Sequence, residues 1–271
     1  MTSRHTLSKY LDIKTFTWEP DRYLTYADER GRPFVELVTR IDEARPATVV
    51  DLGCGPGNLT ALLARCWPEA SISGLDSSPE MIAKARTTTR VGVRFEVADL
   101  REWQPEAPVD VLVSNATLQW VPGHLALLPK LLSQVRPGGW FAFSVPGNFD
   151  EPSHTIRRDL AAEPAYAEHL TGVPSPSAHD AATYLRELAG RGCTVDAWET
   201  TYLHVLHGAN PVFTWVSATG ARPTLQALEP VGLRDAFEEE FKRRLRAAYP
   251  DEGHGVVLPF RRVFVVARVP A

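Results

Sequence analysis

Residues 49–57 read VVDLGCGPG: a β-branched pair runs into Asp51, and Gly53, Gly55 and Gly57 follow at alternate positions ahead of a leucine-rich stretch. Glycines in such a turn remove Cβ atoms, so the backbone can take unusual dihedrals and approach a ligand directly. The helix expected after the turn aims its free N–H groups at the same spot. The chemistry on offer is the grip of a nucleoside. The dinucleotide fingerprint wants its third glycine where this chain has Asn58, and Pro56 stiffens the turn, so NAD fits poorly. Taken alone, the three glycines could also mark an ordinary tight turn.

Later residues converge on the same chemistry. SISGLDSSPEMIAKA at 71–85 supplies a short apolar strand ending in Asp76, then Ser78 as N-cap and Pro79 at the first helical position. About 20 residues past the glycine turn, an acid at the end of the second strand can accept both ribose hydroxyls. A second helix cap is the alternative for Asp76, but Ser77 and Ser78 already serve that need. VRFEV at 93–97 alternates like a strand and runs into Asp99 and Leu100, while VDVLVSNATLQW at 109–120 opens as a buried-type apolar run ending in Asn115. In a doubly wound sheet the ligand crevice lies outside the carboxyl ends of the strands, at the switch point. Asp51, Asp76, Asp99 and Asn115 would then face one pocket.

Helices and strands must hold these groups in place. Phe34, Leu37, Val38 and Ile41 follow Pro33 at helical spacing, and Leu59, Leu62, Leu63 and Cys66 predict a helix over 58–66. Pro129 kinks or begins the next apolar helix, and PGG at 137–139 turns the chain into a strand over 140–145. Five β/α units account for residues 45–147. Strands at TVDAWETTYLHV and at 256–269 complete an α/β fold: a Rossmann-like, doubly wound, mostly parallel seven-stranded sheet with an inserted helical cap. The expected divisions are 1–32, an N-terminal segment over the pocket; 33–146, the nucleoside-binding core; and 147–177, a proline-rich cap insertion. Core resumes over 178–207, a second insertion over 208–255 holds helices at 211–219, 224–229 and 231–248, and 256–271 is the last core strand. Together the insertions could form a lid that excludes water.

Composition narrows the partners. With 29 Lys and Arg against 33 Asp and Glu, the net charge is -4, and the chain lacks the basic stripe a nucleic-acid substrate calls for. Lys242, Arg243 and Arg244 follow Glu238–Glu240 and read as a solvated helix face. Cys54, Cys66 and Cys193 form no C-x-x-C unit, which suits a reduced, cytoplasmic chain, and Cys54 reads as a small apolar residue in a crowded turn rather than a nucleophile. No His and Cys cluster has zinc spacing, so no metal is expected. No apolar run reaches the roughly 20 residues that span a bilayer, and the N-terminus lacks the apolar core of a secretory signal.

The G-x-G-x-G turn after a strand-ending acid resembles motif I of the class I S-adenosylmethionine-dependent methyltransferases. That resemblance implies S-adenosyl-L-methionine as cofactor, S-adenosyl-L-homocysteine as its product, and Asp51, Gly53, Gly55, Asp76, Ser77, Met81 and Asn115 as cofactor-binding residues. It also implies that Asp99 and Leu100 hold the adenine amino group. WEPDRYLTYADERGRP at 18–33, LDSSPEMIAKAR, NATLQW, TTYLHV and WVSATGARP at 215–223 narrow the resemblance to the trans-aconitate methyltransferases, from about Trp18 to the C-terminus. The implied reaction is methyl transfer to one carboxylate of trans-aconitate, giving a monomethyl ester.

A carboxylate with a pKa near about 4 is already ionised at neutral pH. No general base and no catalytic triad are therefore expected, and in-line alignment can recover roughly 7 to 11 kcal/mol of the barrier. The harder task is to hold a trianion on a chain of net charge -4, which calls for clustered arginine, histidine and tyrosine donors. Substrate candidates are Tyr26, Arg30, Trp120, His124, Tyr202, Arg222 and Arg261, with Trp120 and His124 as contributors to catalysis. Tyr23 and Tyr26 either fold back over the cofactor as a gate, Tyr23 contacting it, or pack as ordinary half-buried tyrosines. Competing readings are a methyltransferase of another small or carrier-bound acid of the malonyl-carrier-protein type, an NAD oxidoreductase, and a cofactor-binding protein without turnover.

Overall fold

The computed structural model describes residues 27–88 and 92–271, apart from the side chains of 27–30 and 88. Its helices are α1 (Ala27–Val38), α2 (Thr60–Cys66), α3 (Pro79–Thr88), α4 (Leu128–Leu132), α5 (Pro152–Ala161), α6 (Ala181–Ala189), α7 (Pro211–Ser217), α8 (Arg222–Leu228) and α9 (Arg234–Ala248). Strands are β1 (Thr48–Leu52), β2 (Ser71–Asp76), β3 (Val93–Val97), β4 (Val109–Asn115), β5 (Val135–Pro146), β6 (Thr194–Leu206) and β7 (Val256–Arg268). They form one sheet in the order β3-β2-β1-β4-β5-β7-β6. The first five pair in parallel, and β7 enters antiparallel beside β5. The chain thus winds outward in both directions from β1 and β4, whose carboxyl ends mark the switch point.

Alternation along the central strands divides the core between two faces. Val49, Val111 and Val113 pack with Phe34, Leu37 and Leu63 from α1 and α2, whereas Val50, Leu52 and Leu112 pack with Leu128, Leu131 and Tyr184 from α4 and α6. Helices on both faces explain why β4 is buried along nearly its whole length and not on alternate residues.

Two local expectations shift, and a third is decided between its two alternatives. Helix α2 starts at Thr60, not Asn58, because Gly57 stays left-handed at φ 79° and Thr60 Oγ1 turns inward to Asp51 Oδ2 at 2.7 Å. The Pro-Gly-Gly segment lies inside β5, which begins at Val135 and not after Gly139. The pairing register slips between Val109 and Val111, and a Cβ on Gly139 would meet the Asp110 carbonyl at 2.7 Å. Pro129 begins a helix, since α4 opens at Leu128 after a 3-10 turn over His124–Leu127.

The described residues divide into two compact units. One holds residues 27–149, 176–204 and 259–271, and with them the glycine turn and the ends of β1 to β4. The other holds 150–175 and 205–258, a helical unit around Tyr166, Phe213, Phe237 and Phe241, whose rings meet edge-on or tilted at 5.1 to 6.0 Å. Within it Lys242 pairs with Glu238 and Glu239, Arg243 with Glu240, and Arg244 with Glu240 and Glu163.

Candidate active site

A cleft opens where β1 and β4 end, lined by Phe34, Asp51, Gly53, Cys54, Gly55, Pro56, Asn58, Leu59 and Asn115. The three glycines of its turn do different work. A Cβ on Gly53 would stand 2.0 Å from Thr117 Oγ1, and one on Gly57 would meet Phe95 at 2.8 Å, so these two keep the turn packed against protein. Around Gly55, at φ 55°, nothing lies within 4 Å of such an atom. Gly55 is the position at which a ligand can lie against bare backbone.

Asp76 ends β2 and braces the turn from the side. Its Oδ2 accepts from Gly55 N at 2.9 Å and its Oδ1 from Ser78 N at 2.8 Å, while Ser78 Oγ caps α3 by accepting from Met81 N at 3.1 Å. Each Asp76 oxygen keeps a lone pair for a further donor. Burial raises its pKa, against the pull of those two backbone donors. Asp51 is buried outright, and desolvation, with the neighbouring Asp76 charge adding, lifts it to about 7 despite the bond from Thr60. Two acids held this way favour a cationic or hydroxyl-rich ligand. Burial first, then the Asp51 and Asp76 charges, push the Cys54 thiol up, and it packs with Ile82, Ala85 and Phe95 as an inert small side chain.

Asn115 ends β4 on the cleft wall, followed by Ala116 at φ 55°, a left-handed residue without glycine's freedom that redirects the chain. Asp99 follows β3, where Ala98 N reaches the Asp76 carbonyl at 3.0 Å. Its carboxylate is held below the usual range chiefly by the side-chain hydrogen bond from Arg101. Leu100 packs at the edge of the core, Met81 is buried, and Ser77 is exposed beside Asp76.

The acceptor candidates scatter more widely. Trp120 is half-buried at the end of the 3-10 turn after β4. His124 does not reach the cleft as a base. It is buried, and because Val121 O can only accept, Nδ1 at 3.3 Å carries the proton and Nε2 receives the Tyr184 hydroxyl at 2.6 Å. Burial also lowers its pKa, so the neutral ring is fully engaged. The Tyr202 hydroxyl donates to Glu36 Oε2 at 2.7 Å, tying β6 to α1, with the Arg32 guanidinium 4.9 Å over its ring. Arg261 is taken by Glu199 at 2.9 Å and by the Gly147 carbonyl, because its strand position turns it outward. Arg222 opens α8 in the helical unit and is buried. Tyr23, Tyr26 and the Arg30 side chain lie outside the described residues.

Phe34, Asn58 and Leu59 line the cleft and went unassigned in the sequence, although Asn58 stands where the dinucleotide pattern breaks. Fold and cleft together define a doubly wound, nucleoside-binding α/β protein. Residues 24–197 match the family described as a methyltransferase domain. The YcgJ protein from Bacillus subtilis shares the fold at TM-score 0.55 and 11% identity, over 89% of this chain and 99% of that one. In sequence, this chain is 50% identical to a trans-aconitate 2-methyltransferase of Streptomyces coelicolor, covering 94% of this chain and 87% of that protein. It is also 50% identical to one of Rhodococcus jostii, covering 93% and 99%. The chain belongs to the trans-aconitate 2-methyltransferase family. No helix among the described residues is long and apolar enough to cross a membrane.

Proposed function

We propose that this protein methylates one carboxylate of trans-aconitate from S-adenosyl-L-methionine, giving a monomethyl ester and S-adenosyl-L-homocysteine. The carrying observation is identity of 50% with trans-aconitate 2-methyltransferases over more than nine-tenths of the chain. The cleft suits such a cofactor: open backbone at Gly55, the Asp51 acid on its wall, and lone pairs on Asp76, which braces the turn at Gly55, for ribose hydroxyls. Asp51, Gly53, Gly55, Asp76, Ser77, Met81 and Asn115 are the proposed cofactor contacts, with Asp99 and Leu100 toward adenine and Tyr23 from the N-terminal segment.

When bound, S-adenosyl-L-methionine supplies a methyl whose bond to sulfur breaks, the electron pair staying on sulfur, as the carboxylate oxygen forms the new C–O bond. An ionised carboxylate gives up no proton in this reaction, which agrees with the engaged, neutral His124. What the chain contributes is alignment of the acceptor and exclusion of water. Trp120, Tyr26, Arg30 and Arg222 remain proposed acceptor contacts, the last two because each sits in a segment that carries the family resemblance. A cytoplasmic location, with no nucleic acid or membrane partner, is supported by three free cysteines and a net charge of -4.

The test is transfer of label from methyl-labelled S-adenosyl-L-methionine into trans-aconitate by the full chain, with the ester identified by mass. Protein that binds S-adenosyl-L-homocysteine yet transfers no label above a protein-free control would overturn the proposal.

A further inference from the structure

β4 and β5 run in parallel with Asn115 opposite Ser144, so the two side chains stand side by side on one face of the sheet. Ser144 is buried, and its Oγ lies 2.6 Å from Asn115 Oδ1. Two residues further along β5, Pro146 pairs with Arg262 of the antiparallel β7, and Arg262 Nη1 comes to 3.5 Å from the same Asn115 atom. The backbone beyond is fixed as well: Ala116 N donates to the Ser144 carbonyl at 2.8 Å, and Thr117 Oγ1 lies 3.2 Å from the Asn115 carbonyl oxygen.

A serine hydroxyl can donate or accept, so Ser144 alone leaves the Asn115 amide free to face either way. Arg262 decides it. A guanidinium has donors and no acceptor, so the Asn115 atom turned toward it is the oxygen, and Ser144 must donate to that oxygen too. The NH2 group then points away from both, and among the described residues no protein group accepts from it.

Asn115 lines the cleft together with Asp51, Gly55 and Asn58. Asn58 is the other amide side chain on that lining, and no described hydrogen bond orients it. Asp51, when ionised, can only accept. A carboxylate in this cleft therefore finds in Asn115 a side-chain donor whose direction is set before the ligand arrives, which lowers the ordering cost of binding. Hydrogen bonds to an ionised acceptor are also the stronger class.

We infer that Ser144 and Arg262 are positioning residues, which hold the Asn115 carboxamide so that its NH2 donates to a carboxylate oxygen in the cleft. This rests on the methyl transfer proposed above, which brings two sources of carboxylate to the site, the methionine chain of the cofactor and the acceptor. Ser144 and Arg262 act through Asn115 and touch neither ligand.

Calorimetry of S-adenosyl-L-homocysteine, with steady-state rates over a trans-aconitate series at cofactor saturating for each variant, tests this on the full chain. Asn115→Asp keeps the oxygen that Ser144 and Arg262 face and replaces the NH2 by an acceptor. It should weaken one ligand about tenfold or more, as loss of a hydrogen bond to a charged group implies, and leave the other unchanged. A fall in S-adenosyl-L-homocysteine affinity assigns the carboxylate to the cofactor, and a rise in KM for trans-aconitate assigns it to the acceptor. Ser144→Ala should weaken the same ligand about threefold or more on its own and have no effect beside Asn115→Asp, where the donor it positions is already gone. A serine that only packs the sheet would give the same loss in both backgrounds, and that result overturns the inference. Wild-type values for both ligands in Asn115→Asp overturn it too, as do equal losses for both. If Asn115→Asp does not fold, Ser144→Ala is read by the same criterion, loss on one ligand against wild-type values for both. A wild type that transfers no methyl to trans-aconitate sinks the function itself. A wild type active on trans-aconitate beside an Asn115→Asp variant equal to it for both ligands sinks the positioning role alone.

Discussion

Asp76, at the end of β2, accepts the backbone N–H of Gly55 at 2.9 Å, so the carboxylate expected to receive a ribose also holds the turn that approaches the cofactor. In the proposed role, binding and folding share one side chain. Asp76→Asn keeps one acceptor oxygen and replaces the other with a donor facing either Gly55 N or Ser78 N. S-adenosyl-L-homocysteine affinity should fall about tenfold or more, with a stability loss of about 1 to 3 kcal/mol. Calorimetry and urea unfolding measure the two, and affinity equal to wild type would remove Asp76 from the ribose site.

Gly53 and Gly55 should separate packing from ligand approach. Gly53→Ala places a methyl 2.0 Å from Thr117 Oγ1 at φ 74° and should cost about 2 to 4 kcal/mol of stability. Gly55→Ala meets no atom within 4 Å, so only the left-handed backbone is penalised, by about 1 kcal/mol, while the new methyl enters the cleft. Its main effect should be weaker cofactor binding. Equal stability losses in the two variants would contradict this division.

The burial of Asp51 gives the fold a pH dependence of definite sign. Its pKa rises on folding from 3.8 to about 7, so across that interval the native state binds more protons than the unfolded chain. Stability from this group is present below pH 3.8 and is lost as pH rises through 7. Asp51→Asn, which still accepts from Thr60, should therefore outlast the wild type increasingly toward pH 8, by at most about 4 kcal/mol. Urea midpoints at pH 5 and 8 give the comparison. A gap of the same size at both would show that Asp51 does not titrate in this range.

Tyr184 should matter to the fold and not to the chemistry. Its hydroxyl donates to His124 Nε2 and accepts from His179 N at 3.1 Å, beneath a buried ring that meets Phe143 edge-on. Tyr184→Phe strands both partners and should cost about 1 to 3 kcal/mol. Turnover of trans-aconitate by the folded variant should stay at the wild-type rate. A fall in kcat with stability intact would return His124 to the reaction.

Much of this protein was legible in its residues because short-range rules act on neighbours in the chain. Alternating glycines after Asp51, an N-cap at Ser78 before Pro79, and apolar runs that stop at Asp76 and Asn115 require strand, turn and helix wherever they occur. Once a sheet winds both ways from β1, its strand ends must meet. Helix starts and the bulge in β5 were less legible, since Thr60 turning back to Asp51 and Gly139 lying against Asp110 are contacts that the local pattern does not name.

Which polar groups are spoken for was decided only by tertiary structure. Nothing local distinguishes His124, whose two nitrogens go to Val121 and Tyr184, from a histidine facing a ligand. Nor does the string Arg261-Arg262 say which guanidinium pairs with Glu199 and which is buried near Asn115. Periodicity assigns the two arginines to opposite faces, but the neighbours on each face come from strands more than a hundred residues away in the case of Asn115. The sequence by itself determined the glycine turn, the acids and the sheet that gathers them. The availability of each side chain to a ligand is a property of long-range packing, and only the folded chain settles it.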